Sequence, residues 1–268
     1  MKFSRLILLS GASTLCALSA SAAINLDFTN YSAGTQPDTE ITAGAYNGLG
    51  QNGMLFTDVA DFATTTYAID AVLESLDTYA ANNTNNNSAF GDDIRINQLG
   101  STTTTYRLNL FDAGTTDLFD PGVPFTYDLN IYDIDNGNAG ATPTLETFKI
   151  LTAATYTLTN TTSITVVGGN TFYNGTDGLV ANVSAGATDL TDAQENASVI
   201  LTLSTSSLDF QVTTGGNGGR NLFFDADDLK FDQPSTTTSI VVPEPSTYAA
   251  IVGALSLLAV VSLRRRNK

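Results

Sequence analysis

Short stretches in which apolar and polar residues alternate recur along most of this chain. They fall at residues 106–110, 125–131, 148–150, 164–166, 199–203 and 208–212. Strict alternation puts every second side chain on one face, which is typical of a strand that is buried on one side only. Clusters of Gly, Asn and Asp separate these stretches and are typical of turns. The pattern predicts an all-β fold, a single antiparallel β-sandwich of about ten strands.

One stretch has helical spacing instead. Ile69, Val72, Leu73 and Leu76 lie three or four positions apart. Because a short apolar run does not separate a buried helix from a buried strand, two interpretations stay open here. We expect either one short helix or a further strand.

The composition also indicates how the chain is divided. Residues 23–233 contain no stretch with the composition of a linker, so we expect one folded extracytoplasmic domain there. The Asn-rich residues 81–88 are typical of an exposed loop within that domain. Residues 234–241 are rich in Ser and Thr and lead into an unusual C-terminal segment. We interpret 234–241 as a tether.

Charge and residue usage exclude several classes of function. The chain has 27 Asp and Glu against 11 Lys and Arg, for a net charge of −16, and it has no His and one Cys, Cys16. An acidic domain repels phosphate backbones, so we expect no binding of nucleic acid. The absence of His excludes Ser-His-Asp and Cys-His catalysis as well as histidine-ligated zinc. A single Cys excludes a disulfide framework.

The N-terminal segment, residues 1–22, has the three parts of a secretory signal peptide. Lys2 and Arg5 give the positive start, residues 6–18 are mostly apolar, and small residues including Ala20 and Ala22 form the cleavage site. Cleavage after Ala22 removes Cys16. The secretion machinery is therefore a predicted partner, and the mature chain contains no thiol.

The C-terminal segment, residues 242–268, has the charge pattern of a short membrane helix. Residues 249–263 are mostly apolar and would span about 22 Å as a helix, less than the ~30 Å of a bilayer core. Arg264, Arg265 and Arg266 follow directly and would hold that end on the cytoplasmic side. We expect a transient transmembrane anchor with the body outside.

The same segment resembles the PEP-CTERM sorting signal of Gram-negative bacteria. The resemblance rests on Pro243, Glu244 and Pro245, the apolar helix at 249–263 and the arginine cluster at 264–266. It implies recognition by an exosortase, an integral-membrane cysteine protease that cuts near the motif. It also implies delivery to the cell surface or extracellular matrix, in a setting where exopolysaccharide or biofilm is made.

Acidic residues continue two of the apolar stripes in phase, at Asp133, Asp135, Asp225 and Asp227. If the strands keep their register, these carboxylates lie at the ends of core faces, the second of which carries Phe223. Adjacent like charges require a cation, a proton or access to solvent, and an exported oxygen-rich site favours Ca²⁺. The alternative is a bulge that turns the aspartates outward.

A second resemblance concerns the first and last strands of the body. Residues 24–29 and 224–231 are similar to those strands in jelly-roll carbohydrate-binding modules, so the resemblance implies a jelly-roll sandwich. In several of these families the two strands share a structural calcium ion. The resemblance nominates Asp27 with Asp227 or Asp228, although alternation turns Asp27 away from the face of Ile24, Leu26 and Phe28.

These observations predict an exported, exosortase-processed surface or matrix protein with a structural or adhesive role. Divalent ions could bridge its acidic body to an anionic exopolysaccharide. One alternative is a carbohydrate-binding module, although the chain has no Trp for sugar stacking. The other is a polysaccharide hydrolase, but the few glutamates fit no acid/base motif. We therefore expect no enzymatic activity.

Overall fold

The computed structural model describes residues 21–42, 44–46, 52–62, 67–83, 87–91, 93–132, 134, 146–174, 189–216, 218–226 and 230–240. In chain order the strands are β1 (Ala22–Ile24), β2 (Tyr31–Ala33), β3 (Met54–Phe62), β4 (Tyr67–Ser75), β5 (Ser88–Phe90), β6 (Asp93–Leu99), β7 (Thr103–Asp112), β8 (Phe125–Tyr132), β9 (Thr147–Ile150), β10 (Ala154–Thr159), β11 (Ile164–Val167), β12 (Thr171–Asn174), β13 (Val199–Leu203), β14 (Ser207–Thr213), β15 (Gly219–Asp225) and β16 (Ser235–Ile240). A 3₁₀ helix spans Gly44–Tyr46, and a short helix, α1, spans Asp192–Glu195.

The described strands form two sheets. Sheet A has the order β16-β10-β13-β8-β15-β6-β5, and β1 also pairs with β8. Sheet B has the order β11-β12-β9-β14-β7-β4-β3-β2. Strand pairs are antiparallel except for β1 with β8, which is parallel. The prediction of an antiparallel β-sandwich is confirmed.

The pairing order is nested. β6 pairs with β15, β7 with β14, β8 with β13 and β9 with β12, and successive pairs lie alternately in sheet A and sheet B. A folded-over hairpin whose strand pairs alternate between two sheets has the connectivity of a jelly roll. The central eight strands of this sandwich therefore have the topology that the second resemblance implied.

The main core lies between the two sheets, and the alternating stripes supply it. Leu108 and Leu110 from sheet B and Leu129 and Ile131 from sheet A are almost fully buried within it. Aromatic rings cross the interface, with Phe210 of sheet B lying 5.2 Å from Phe224 of sheet A between ring centroids. The alternation was informative because each of these strands buries one face against the opposite sheet.

The stretch with helical spacing is strand β4. Ile69, Ala71 and Leu73 face the main core, whereas Val72 faces the opposite side and joins a second apolar cluster with Leu55. Ile41, Tyr46 and Phe111 complete that cluster on the outer face of sheet B. Because both faces of β4 are covered, its apolar residues do not alternate, and the strand interpretation holds.

The prediction of a tether at 234–241 is wrong for residues 235–240, which form β16. This strand pairs with β10 at six consecutive positions, and Ile240 at its end is buried in the main core. Glu195 of α1 holds the approach to the strand because its carboxylate accepts hydrogen bonds from the backbone N–H groups of Asp232 and Gln233, at 2.7 and 3.3 Å. The β-branched threonines that suggested a solvated linker are equally suited to an edge strand.

The predicted terminal signals lie mostly outside the described residues. These include Ala20 of the signal peptide and the whole of 242–268, with Pro243, Glu244, Pro245 and the arginines at 264–266. Ala22 is described and is the first residue of β1, where its N–H donates to the carbonyl oxygen of Pro124. In the part of the chain that the structure describes, no helix has the length and apolar character needed to cross a membrane.

Candidate binding face on sheet A

The outer face of sheet A carries a group of hydroxyl side chains that we call the hydroxyl face: Thr155, Thr157, Thr202, Thr237 and Ser239. They lie there because alternation turns their neighbours, such as Tyr156 and Leu201, into the main core. Thr237 and Ser239 are exposed, and the other three are half-buried. Their Cα positions form a regular array because β16, β10 and β13 pair without a register shift.

Two rows of outer-face residues run across sheet A from β16 to β8. The first row is Ser239, Thr155, Thr202 and Asp128, and the second is Thr237, Thr157, Ile200 and Asn130. Hydrogen bonds connect neighbours within the rows, at 2.8 Å between the Oγ1 atoms of Thr157 and Thr237 and at 2.6 Å from Thr202 Oγ1 to Asp128 Oδ1. Each hydroxyl can donate one hydrogen bond and accept two, so the face keeps capacity for further partners.

The rows lead to a cavity at a gap beside β8. β13 covers one edge of β8, while β1 and β15 share the other edge, with β1 paired to residues 125–127 and β15 to residues 130–132. The two strands run toward each other, and their last paired positions, at Tyr127 and Asn130, lie on either side of residues 128–129. A cavity of about 180 Å³ lies at this meeting point, lined among the described residues by Ala23, Ile24, Asn25, Thr126, Tyr127, Asp128, Asn130, Ile200, Asp225, Ala226 and Lys230.

The cavity combines both signs of charge with apolar wall. Asp128 and Asp225 contribute carboxylates, and Lys230 contributes an ammonium group. Asp225 is only 2% exposed and lies opposite Asn130 at the end of β15. Such a lining offers charge-assisted hydrogen bonds to a ligand that has both donors and acceptors.

A second cavity adjoins the first. Its volume is about 290 Å³, and it is lined by Thr126, Ala153, Ala154, Thr155, Thr202, Leu203, Ser204 and Ile240. Thr126 lines both cavities, and the hydrogen bond between Thr202 and Asp128 joins a residue of one to a residue of the other. Thr155 and Thr202 of the hydroxyl face line this second cavity, so we group the two cavities and the hydroxyl face under one name, the sheet A groove.

Two of the candidate calcium residues, Asp27 and Asp225, lie in the described part of the chain. Asp225 lies in the first cavity, whereas Asp27 is exposed and its Oδ1 atom accepts hydrogen bonds from Thr29, at 2.8 Å from the backbone N–H and also from the hydroxyl. Asp133, Asp135, Asp227 and Asp228 lie outside the described residues. Among the residues that are described, no three acidic side chains come together as a metal site would require. The calcium site stays a prediction.

The face assigned to Phe223 in the sequence is opposite to the observed one. Leu222 and Phe224 enter the main core, and Phe223 lies on the outer face, stacked on Tyr132 with ring centroids 5.3 Å apart. The hydroxyl of Tyr132 donates to Asp93. Four consecutive residues, 222–225, are buried, so alternation gave no means of choosing the core face. Asp225 is thereby on the outer face, where it reaches the cavity.

Other buried carboxylates have structural partners. Asp70 on β4 is 4% exposed and accepts hydrogen bonds from the N–H groups of Asp58 and Gly114, both at 2.9 Å, and from the hydroxyl of Tyr46 at 3.3 Å. Asp58 has a φ of 54° at the bulge of β3, so Asp70 holds a backbone conformation that few residues adopt. Sequence analysis missed Asp70 because only the fold brings its three donors together.

The glutamates are also accounted for by the fold. Glu146 forms an ion pair with Arg220 at 3.2 Å, and Glu195 holds the approach to β16. Glu74 accepts a hydrogen bond from Asn109, and burial raises the pKa of its carboxyl group, against the opposing effect of Arg107. Glu146 and Glu195 are buried and Glu74 is half-buried, so each of these carboxylates has a partner within the fold.

No protein-family model matches this sequence, and no curated protein matches it. Among solved structures, the adhesin domain of PrgB from Enterococcus faecalis bound to DNA has 16% identity and a TM-score of 0.41, over 66% of this chain and 67% of its own. A second structure of that domain has 14% identity and a TM-score of 0.39, over 66% and 63%. Glucan binding protein C of Streptococcus mutans has 11% identity and a TM-score of 0.39, over 76% and 69%.

Proposed function

We propose that this chain is an exported surface or extracellular-matrix protein with a structural or adhesive role, and that it binds a polyhydroxylated polymer along the sheet A groove. The observation that carries the proposal is that Thr155 and Thr202 of the hydroxyl face line one cavity, and that this cavity shares Thr126 with a second, charged one. A groove that runs across several strands suits an extended chain, because successive units of the polymer can each contact one row of side chains.

The chemistry of the groove favours a polysaccharide. Thr155, Thr157 and Thr202 offer hydroxyl groups to sugar hydroxyls, and Asp128 and Lys230 add one charged acceptor and one charged donor. The net charge of −16 disfavours a bare polyanion. We therefore propose a neutral or amino-sugar polymer as the direct ligand, and an anionic exopolysaccharide only where Ca²⁺ bridges it to the protein.

The binding test compares two matched sets of threonine variants. Thr155→Val and Thr202→Val remove hydroxyls from the groove while keeping a β-branched side chain. Thr103→Val and Thr213→Val remove an equivalent pair from the outer face of sheet B, where the two Oγ1 atoms lie 2.9 Å apart. The affinity for matrix polysaccharide is measured from retardation in affinity electrophoresis. We expect this affinity to fall at least about tenfold for the first set only, which corresponds to about 1.4 kcal/mol.

Four outcomes would contradict the proposal. Equal retardation of both sets would show that the sheet A groove does not bind the polymer. If the wild-type chain were not retarded with or without Ca²⁺, the proposed polysaccharide ligand would be wrong. Retardation by duplex DNA in place of polysaccharide would contradict both the ligand class and our expectation that the chain does not bind nucleic acid. Turnover of the polysaccharide would replace the proposed binding role with a catalytic one.

We propose that export and sorting use the two terminal segments. The signal peptide at 1–22 directs export, and an exosortase cuts near Pro243, Glu244 and Pro245 after the helix at 249–263 has stopped in the bilayer. Deletion of Arg264, Arg265 and Arg266 removes the cytoplasmic anchor of that helix, so we expect the unprocessed chain to accumulate. Mass spectrometry of the surface protein measures both trimmed ends, and a processed chain of normal mass from the deletion strain would contradict this part.

A further inference from the structure

Strand β16 forms an edge of sheet A that differs from the other sheet edges. Within the described part of the chain β16 pairs with β10 alone, and it does so at six consecutive positions without a register shift. Residues 235–239 are all exposed. No described residue pairs with its outer backbone edge, and its side chains are exposed along almost the full strand.

The other edges are shorter or interrupted. β5 and β2 have three residues each, and the guanidinium of Arg95 covers Phe90 of β5 at 4.4 Å from the ring centroid. β2 also shifts register against β3, and β11 has four residues. Proteins usually protect edges with charges, prolines, bulges or short length. β16 has none of the first three and is the longest of these edges.

The sequence of β16 is symmetric about Thr237. It reads Ser-Thr-Thr-Thr-Ser from residue 235 to residue 239. In an antiparallel pair of two such strands centred on Thr237, that residue lies opposite itself, Ser235 lies opposite Ser239, and Thr236 lies opposite Thr238. Threonine pairs with threonine or serine are favourable across antiparallel strands. The edge is thus complementary to a second copy of itself.

We propose that β16 pairs antiparallel with β16 of a second copy of this chain, about a two-fold axis at Thr237. An isologous contact of this kind closes as a dimer, because each copy uses the same edge once. Residues that face each other across an antiparallel pair lie on the same side of the sheet. The dimer therefore joins the two hydroxyl faces into one surface.

The charge distribution makes the stability of this dimer depend on ionic strength. Each chain carries a net charge of −16, whereas neither β16 nor its partner β10 contains a charged residue. Repulsion between the two acidic bodies opposes association, and salt screens it beyond about 10 Å at 0.1 M. We therefore expect the dimer to strengthen as ionic strength rises.

The first experiment measures the mass of the full chain by sedimentation velocity in the absence of any polysaccharide, so its result is independent of the proposed function. We expect a dimer for the wild type, at least a tenfold weaker association for Thr237→Lys and for Thr237→Glu, and recovery of the dimer when the two variants are mixed. In each single variant like charges lie opposite each other, whereas the mixture pairs opposite charges. Thr165→Lys and Thr165→Glu on edge strand β11 are the matched controls and should leave the mass unchanged.

A second experiment tests the register without relying on charged variants. The chain has one Cys, at position 16 in the predicted signal peptide. A disulfide between two copies that carry an introduced Cys therefore shows that the two introduced residues lie close together. Thr237→Cys should form a covalent dimer on oxidation, since directly opposed Cα atoms lie about 4.5–5.5 Å apart, within disulfide range. Thr236→Cys should not, because its own copy lies on the diagonal at about 7–8 Å. A monomeric wild type, equal masses for the Thr237 and Thr165 variants, or equal cross-linking at 236 and 237 would each overturn the proposal.

Discussion

The outer faces of the two sheets use similar strands in different ways. On sheet B, Arg107 forms two hydrogen bonds with Asp209 at 2.6 and 2.8 Å, Glu74 lies opposite it on β4, and Asp70 holds the bulge of β3. On sheet A, the hydroxyl face leads into two cavities. These polar side chains of sheet B thus form hydrogen bonds with each other or with nearby backbone groups. Under the proposed function, sheet B stabilises the sandwich and sheet A provides the surface for other molecules.

The largest effect that we expect is from Asp70, on sheet B. Asp70→Ala leaves the buried Tyr46 hydroxyl and the part-buried backbone N–H groups of Asp58 and Gly114 without their acceptor, and an unsatisfied buried group costs about 1–3 kcal/mol. We expect the free energy of unfolding to fall by about 3–5 kcal/mol in urea titrations. Asp70→Asn keeps one acceptor oxygen and should lose less. A loss under about 1 kcal/mol for the alanine variant would contradict the assignment of sheet B as the stabilising face.

The next largest effect is expected at Tyr79, which contacts strands of both sheets. Its ring packs against Tyr106 of β7 in sheet B, its hydroxyl donates to the carbonyl oxygen of Asn97 of β6 in sheet A, and burial raises its pKa to about 12. A phenol whose pKa is higher in the folded chain stabilises fully below the unfolded value of about 10. That stability should fall by about 1.4 kcal/mol per pH unit and be lost as the pH rises through 12.

The measurement is urea unfolding as a function of pH, with Tyr79→Phe as the comparison. The variant should be less stable at neutral pH, since Asn97 loses its donor, and its stability should decline less steeply above pH 10. Burial also raises the pKa of Tyr106 and Tyr127, so a part of the alkaline decline should remain. Equal slopes for the two chains would show that Tyr79 does not link the sheets in this way.

A smaller effect is expected at Glu195, which anchors the approach to sheet A. Glu195→Ala removes the acceptor for two backbone N–H groups, and we expect a loss of about 2 kcal/mol. Because these groups precede β16, hydrogen exchange should accelerate at residues 235–240 before it does in β7 or β14. Uniform acceleration in both sheets would mean that β16 does not open separately.

The smallest effect should be on the stability of the hydroxyl-face variants. Thr155→Val and Thr202→Val change partly exposed side chains, so we expect changes in unfolding free energy within about 0.5 kcal/mol while polymer binding is lost. Thr103→Val and Thr213→Val on sheet B should change neither quantity appreciably. If the groove variants unfolded several kcal/mol more easily, the division of roles between the two faces would be wrong.

The sequence predicted the sandwich because its core strands bury one face, as at Leu108, Leu129 and Phe210. It left helix and strand both open where a strand is covered on both sides, as at Val72 of β4, and it assigned the wrong face where four buried residues occur in succession, as at Phe223. Composition misassigned β16, since exposed threonine is common to linkers and edge strands.

The site was predictable only in part. Asp225 was identified as a candidate ligand and lies in the first cavity, but its neighbours Asp128 and Lys230 come from other segments. The cavity results from β1 and β15 meeting beside β8, and the pairing of strands so far apart in the chain cannot be read from local alternation. The same limit applies to the donors that Asp70 collects.

The nested strand order also determines when the protein can fold. The paired strands β9 and β12 are close in sequence. In contrast, β6 pairs with β15 and β10 pairs with β16, and these partners lie much later in the chain. Long-range pairing of this kind is slow because the loop entropy is lost before the contacts compensate for it. A chain that emerges from a membrane N-terminus first would therefore remain incompletely folded until its final strand had crossed, and translocation and folding would occur in succession.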